Sequence, residues 1–359
     1  MLQVFVSKIT MAHGAGGTVM QSLIKEKILR HFGGRLEEIS VLAEVPLSAL
    51  DDAAVVDGIV FTTDSHTVKP IFFPGGDIGR LSVAGTVNDV ACVGGKVLGL
   101  SAGFVIEEGF EEEKLERILK SMGKTAREAG TSIVTGDTKV VEHGSLSEIV
   151  INTSGIGKRH DLLDENFEVL GQYRMFKTNW LVDSNIADGD VLIVSGYVGD
   201  HGIAVLSARE GIAFEGNFMS DVMPLNRMIE KVLKVGGICA IKDATRGGIA
   251  NLLNEWSEKS GVGIVVEEEK IPVRKEVRAA CGMLGIDPYE IGNEGKVVIA
   301  VVPQMAEEVL EMLRKTEEGK DAAIIGKATK DVEGVVLKTR VGGMRILQPP
   351  VGDPVPRIC

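Results

Sequence analysis

Six carboxylates in this 359-residue chain stand where a carboxylate is expensive to keep. Asp51 and Asp52 are adjacent in LSALDDAAVV, among small and apolar residues. Such a like-charge pair is costly unless a cation neutralises it. Asp64 closes the strand-like IVFTTD, Asp137 ends SIVTGD, and Asp243 ends ICAIKD. Asp89 interrupts LSVAGTVNDVACVGG, a stretch that otherwise reads as a buried helix. Singly, each is explained by a turn, a cap or a loop. Together, four segments place a carboxylate at a strand end or on an apolar helix, with no Lys or Arg beside most of them. Hard oxygen ligands of this kind suit Mg²⁺, which binds a few carboxylates together with nucleotide phosphates.

Two glycine-rich segments, His13-Gly14-Ala15-Gly16-Gly17 and Arg246-Gly247-Gly248, precede or open a helix. Glycine there lets backbone N–H groups approach an anion, although plain turns fit as well. The last residue, Cys359, ends QPPVGDPVPRIC, whose prolines Pro349, Pro350, Pro354 and Pro356 exclude helix and central strand. This reads as an extended arm of about 3.1 Å per residue. A thiol on such a tether suits a covalent carrier, because tethering makes a bimolecular step local. A prenylation box would need its Cys four residues from the end, so lipidation does not fit.

The elements that must position these groups alternate. Helices are expected over Thr18 to Phe32 (stopped by Gly33-Gly34), Asp77 to Val93, Glu111 to Ala129, His201 to Arg209, Asp221 to Val235 and Arg246 to Lys259, interleaved with aliphatic strands. The pattern is α/β or α+β. It fails between Lys158 and Ala187, which sets the expected division: residues 1–160, residues 161–345, and a flexible tail 346–359. Lys+Arg 39 against Asp+Glu 51 gives a net charge of −12, which disfavours nucleic acid and anionic membranes as partners. The first residues do not read as a signal peptide, and Val97 to Ile106, the longest apolar stretch, is too short to span a bilayer. Four scattered cysteines suggest neither zinc site nor disulfide, and a reducing cytoplasm is the expected setting. Gly123-Lys124-Thr125 lacks the earlier glycine of a P-loop, and Gly155-Ile156-Gly157 reads as a turn.

In chain order, HGAGG, LDDAA, TTDSH, GTVNDVACVGGK, GDTKVVE, GDHGIAVLSAREG, KDATRGGIAN, GNEGK and the terminal PRIC closely resemble the HypE family of hydrogenase maturation proteins. That family belongs to the superfamily of aminoimidazole ribonucleotide synthetase, selenophosphate synthetase and thiamine-monophosphate kinase. The carboxylate segments point to the superfamily; PRIC, GDHG and HGAGG select HypE.

The resemblance implies a two-domain fold of the aminoimidazole ribonucleotide synthetase type, whose N-terminal sheet forms a β-barrel across a homodimer. It implies ATP-dependent dehydration of a carbamoyl group on the Cys359 thiol to a thiocyanate. The carbamoyltransferase HypF would load the group, and the HypC–HypD complex would receive the cyanide for the iron of a [NiFe] hydrogenase. By motif, metal ligands are expected among Asp52, Asp64, Asp89, Asp137 and Asp243. Gly14, Gly16, Gly17, Asp51, Thr63, Thr245 and Gly247 would help to bind ATP. Lys139 in GDTK and Glu294 in GNEG are the two candidates for the base, with the choice between them open, and His13 and His66 are further contacts. Lys158 to Trp180 departs from the compact linker the family implies and is a candidate docking surface.

Overall fold

The computed structural model describes residues 8–32, 43–210, 218–352, 354–355 and 358–359. The expected helix stop at Gly33-Gly34, and Pro356 in the tail, lie outside these.

The N-terminal part opens with helical segments Thr18–Leu23 (α1) and Leu29–Phe32 (α2), joined by a π turn at Ile24–Ile28. Its sheet uses β1 (Ala43–Val45), β2 (Ala54–Val56), β3 (Ile59–His66), β6 (Gly95–Glu107), β7 (Ile133–Val141) and β8 (Ile149–Arg159). A small hairpin of β4 (Phe72–Phe73) and β5 (Gly76–Asp77) leads into α3 (Ile78–Cys92), and α4 (Glu112–Ala129) joins β6 to β7. The sheet order is β1-β2-β3-β8-β6-β7, antiparallel except for the parallel β6–β7 pair. Residues 162–173 then form α5 (Leu162–Tyr173).

The second sheet holds β9 (Val191–Val194), β10 (Ile238–Asp243), β11 (Gly263–Glu267), β12 (Val297–Val301), β13 (Ala323–Thr329), β14 (Val335–Lys338) and β15 (Met344–Ile346). Its order is β10-β12-β9-β13-β11-β14-β15, antiparallel except for the parallel β11–β14 pair. It is accompanied by α6 (Asp200–Glu210), α7 (Asn226–Leu233), α8 (Gly248–Ser260), α9 (Lys275–Leu284) and α10 (Ala306–Arg314).

Burial explains the local choices. Every residue of α3 is buried except Arg80 and Asp89, as expected of a helix apolar all round and covered by the sheet and α4. In α4 the charges face out, and Ile118, Met122, Thr125, Ala126 and Ala129 make one inward stripe. Two expectations need correction. Lys158 to Ala187 is not wholly irregular: α5 buries Leu163, Phe167 and Leu170 at spacings of four and three. Gly155-Ile156-Gly157 is not a turn but part of β8. A Cβ at Gly155 would come within 2.9 Å of Thr86 and Val90, and one at Gly157 within 2.7 Å of Val90. The glycines let α3 lie close against the sheet.

One apolar core unites the second sheet with Val55, Val60 and Val90 of the first part. Another lies between the first sheet, α3 and α4, and takes in Val205 and Val222 from the second part and Val355 and Ile358 from the tail. Among the described residues, no helix is long and apolar enough to cross a membrane.

Candidate functional site

The carboxylate-bearing segments meet where the two parts join. Strand alternation sends Thr62 and His66 of β3 to the side covered by α3 and the flanking Thr63 to the exposed face. The Thr62 hydroxyl lies 2.8 Å from Asp89 Oδ2 and 3.1 Å from the Asp52 carbonyl oxygen, linking β3, α3 and the Asp51-Asp52 turn. Asp64 accepts from Thr86 Oγ1 at 3.4 Å, and Asp243, at the end of β10, donates its backbone N–H to Asp52 Oδ2 at 3.4 Å. Asp51, Asp52, Asp89 and Asp243 line one cavity of about 290 Å³ with Gly16, Gln21, Lys242, Thr245, Arg246, Asn251 and Glu255. Gly248 and Asn251 of the first turn of α8 form one wall, so a helix N-terminus, which favours an anion, borders the cavity.

Charge within this region is uneven. Lys242 Nζ lies 2.8 Å from Asp52 Oδ1, 3.3 Å from Asp183 Oδ2 and 3.4 Å from Glu255 Oε2. Lys259 Nζ reaches Asp183 Oδ2 at 2.6 Å and Asp51 Oδ1 at 4.0 Å, and Trp256 Nε1 donates to Asp183 Oδ1 at 2.8 Å. Burial raises the Asp183 carboxyl, but the two lysines outweigh it and hold Asp183 below the usual carboxylate range. Asp64, Asp89 and Asp243 take part in no ion pair among the described residues. Burial, then repulsion from Asp64, Asp243 and Asp52, pushes Asp89 well above the usual range. Burial and then Asp52 do the same to Asp243.

That imbalance tests the expected metal. No three His, Cys, Asp or Glu side chains among the described residues form a ready-made metal cage. The charge nevertheless suits a divalent cation. Mg²⁺ asks for one or two protein carboxylates and fills its remaining positions with water and phosphate oxygens. Asp89 and Asp243, both on the cavity wall with no cation of their own among the described residues, are carboxylates of that number, and Asp64 is their neighbour.

Glu294 is 4% exposed, and its Oε1 has no hydrogen-bond partner. Burial, then Asp243 and Asp221, raises its carboxyl well above the usual range. Its backbone N–H donates to Asp221 Oδ1 at 3.1 Å. A carboxyl of this kind, once ionised, is a strong proton acceptor.

The tail comes to the same place. The Pro350 carbonyl oxygen accepts from Thr18 N at 3.2 Å and passes so close to Gly17 that a Cβ there would be 1.9 Å away. Glycine at 17 therefore admits the tail's own backbone. Ile358 is buried, and its carbonyl oxygen lies 2.7 Å from His201 Nε2. Thr67, just beyond Asp64 and His66 on β3, donates from Oγ1 to Cys359 O at 3.4 Å. Cys359 is half-buried, whereas Cys92, Cys239 and Cys281 are buried. The described tail residues Pro350, Val355, Ile358 and Cys359 thus rest against the body of the molecule.

Several expected residues stand elsewhere. Thr63 bonds Asn152 and Ser154 on the exposed face of the sheet, and Thr62 is the hydroxyl that reaches the acids. Asp137 and Lys139 are exposed on β7, three strand positions, about 14 Å, from the β3 that carries Asp64. His13 is engaged with Thr10, whose N and Oγ1 lie 3.0 and 2.9 Å from its Nδ1. Gly14 is exposed and accepts from Arg246 Nη1 at 3.4 Å. His66 is buried against Asp64, and Gly247 takes a left-handed conformation (φ 81°) to start α8. Thr245 lines the cavity, and its Oγ1 donates to Asp243 Oδ1 at 3.4 Å. Sequence reasoning missed Lys242, Asp183, Lys259 and His201. A lysine inside the aliphatic ICAIKD was the available signal for the first.

Comparison with known proteins adds relatives to this geometry. Residues 50–158 match the family described as AIR synthase related protein, N-terminal domain, and residues 187–338 match its C-terminal domain. The chain is 50% identical over 357 residues to a hydrogenase expression/formation protein of Methanocaldococcus jannaschii, covering 98% of this chain and 100% of that one. It is 41% identical over 355 residues to the carbamoyl dehydratase HypE of Escherichia coli, covering 99% and 100%. Among solved structures, a chain of a HypE–HypF complex superimposes with TM-score 0.81 at 45% identity, covering 92% of this chain and 100% of that one. A HypE in complex with ATP does so with TM-score 0.77 at 40% identity, covering 98% and 100%.

Proposed function

The chain belongs to the HypE family of carbamoyl dehydratases, and from that premise we propose that it uses ATP to dehydrate a carbamoyl group carried on its Cys359 thiol. The carbamoyl oxygen attacks the γ-phosphorus, ADP leaves, and a poor leaving group becomes a phosphate ester. The nitrogen then gives up its two protons as the C–O bond breaks, leaving a thiocyanate on sulfur and inorganic phosphate. The single observation that carries the reading is that the tail's last residues are held by His201, Thr67 and Gly292, the last of which packs against Thr245 of the acid-lined cavity.

The triphosphate belongs against the first turn of α8 and Arg246, the groups of that cavity able to face an anion. Asp64, Asp89 and Asp243, with Asp52 behind them, would hold Mg²⁺, which when bound neutralises charge on the transferring phosphoryl group. Glu294 is the base we assign. The chain buries it near Asp243, two residues after a glycine that touches Ile358. Lys139 and Asp137 on exposed β7 fit instead a surface that a second copy covers. Phe61 and Ile156 face each other across β3 and β8 on the side away from α3, and are 51% and 42% exposed. A homodimer joined through this sheet, as a barrel, would bury them. HypF would supply the carbamoyl group, HypC–HypD would take the cyanide, and the cytoplasm is the setting we assign.

Intact-mass spectrometry of the full chain after carbamoyl loading tests the reaction. Adding ATP and Mg²⁺ should remove the mass of one water from the C-terminal peptide. Glu294→Gln should keep the carbamoyl group, and Cys359→Ala should fold but never be loaded. Loading at another residue, or ATP turnover that needs a diffusible substrate and tolerates Cys359→Ala, would overturn the assignment in favour of a small-molecule kinase.

A further inference from the structure

His201, in the GDHG segment at the start of α6, has no part in the chemistry just described, yet it is fully buried. Its Nε2 lies 2.7 Å from the Ile358 carbonyl oxygen and its Nδ1 2.8 Å from Ser220 Oγ. These partners fix the tautomer. A carbonyl oxygen only accepts, so Nε2 carries the hydrogen. Ser220 Oγ already accepts from Val222 N at 3.1 Å, so its own hydrogen is available to Nδ1. Burial, which disfavours the imidazolium, keeps the ring neutral and in keeping with this pattern. Ser220 is itself tied to the first part of the chain: its N–H donates to Pro74 O at 2.8 Å. The ring of Phe73, in the same hairpin, meets His201 edge-on at 5.4 Å.

Two further contacts complete the seat. A Cβ on Gly292 would lie 2.5 Å from Ile358 Cδ1, so the absence of a side chain at 292 makes room for Ile358. Thr67 holds Cys359 O at 3.4 Å. The last two residues are therefore gripped by segments from both parts of the molecule.

We propose that His201, aligned by Ser220, is a positioning residue that sets the register of the C-terminal thiol by holding the Ile358 carbonyl, with Gly292 as the socket for the Ile358 side chain. The inference rests on Cys359 being the carrier. Consecutive Cα atoms are about 3.8 Å apart, so fixing the 358 carbonyl leaves the sulfur only local torsions to explore. Reaction between held groups depends steeply on such placement.

The test uses the full chain in two arms. In the first, carbamoyl-loaded protein is followed through a single turnover at saturating ATP by intact mass. In the second, the unloaded thiol is alkylated with iodoacetamide and its rate recorded. His201→Leu removes the donor and keeps apolar bulk. It should slow dehydration roughly tenfold and speed alkylation roughly tenfold, the range of one buried hydrogen bond. ATP affinity should not change. His201→Gln, which restores an N–H donor, should recover most of both rates. Ile358→Ala, on the tail itself and outside either sheet, should move both rates in the same directions as His201→Leu. Wild-type rates in His201→Leu and Ile358→Ala would overturn the proposal, as would a loss of ATP affinity as large as the loss of rate. If wild-type protein fails to dehydrate, the carrier reading falls, while the alkylation arm still decides whether His201 seats the tail.

Discussion

Two sets of carboxylates meet around one cavity and differ in whether a cation reaches them. Asp51, Asp52 and Asp183 are buried beside Lys242 and Lys259; the lysines draw Asp183 down, while burial still raises Asp51 to about 7 and Asp52 above the usual range. Asp64, Asp89 and Asp243 form no ion pair among the described residues, and Asp89 and Asp243 are pushed up by burial and by neighbouring carboxylates. The first arrangement holds the two parts of the molecule together: Asp51 and Asp52 belong to the first part and the lysines to the second. The second stores repulsion that folding alone does not need. On the function proposed above, their difference separates acids kept for structure from acids that would serve a ligand.

The largest effect should come from breaking the compensated set. Lys242→Met leaves Asp52 buried without its cation and Asp183 with Lys259 alone, and should lower unfolding free energy by about 3–5 kcal/mol in urea titrations. A loss under about 1 kcal/mol would mean that the two sets do not differ. Asp89→Asn should behave in the opposite way. Relieving a repelled carboxylate should stabilise the fold by about 1 kcal/mol, while ATP-dependent dehydration falls about a hundredfold. A variant both less stable and less active would place Asp89 with the structural acids. The smallest effect belongs to Asp200, which lies between the extremes. Among the described residues its ion-pair partner is the half-exposed Arg274, 2.9 Å away. Burial outweighs that pair and raises its carboxyl to about 6. The folded chain therefore holds a proton there between about pH 4 and 6 that the unfolded chain releases, so wild-type stability falls as pH rises through that window. Asp200→Asn should escape this fall. Above pH 6 it should be more stable than wild type by on the order of 1 kcal/mol, after the lost Arg274 pair is counted, and the difference should vanish near pH 4. Melting curves at the two pH values check the sign.

Much of this frame was legible in the sequence where the signal is local. The apolar run from Ile78 to Cys92 and the one-sided stripe of α4 declare themselves by composition and period. The acids were legible for the same reason, since a carboxylate in an aliphatic stretch is conspicuous whatever its surroundings. What stayed hidden depends on distance in the chain. Lys242 and Asp52 are 190 positions apart, so no window of sequence shows that one neutralises the other. The threonine facing the acids is Thr62 and not Thr63 because β3 alternates, and a motif alone does not say which phase the strand takes. Leu163, Phe167 and Leu170 were obscured by the Asp, Glu and Asn letters between them. Asp137 and Lys139 matched a motif, but their strand lies at the sheet's edge.

Val355 and Ile358 are among the residues that finish the interior between the first sheet, α3 and α4. Drawing the arm out to meet a loading partner would uncover two aliphatic side chains at about 1.5–3 kcal/mol each, a cost that favours the stowed arm. The molecule is in this sense interlocked: it is complete only while its sulfur is stowed. Any partner that modifies the thiol must shield those side chains for as long as it keeps the arm, and once it lets go, the same apolar surface drives the modified end back home.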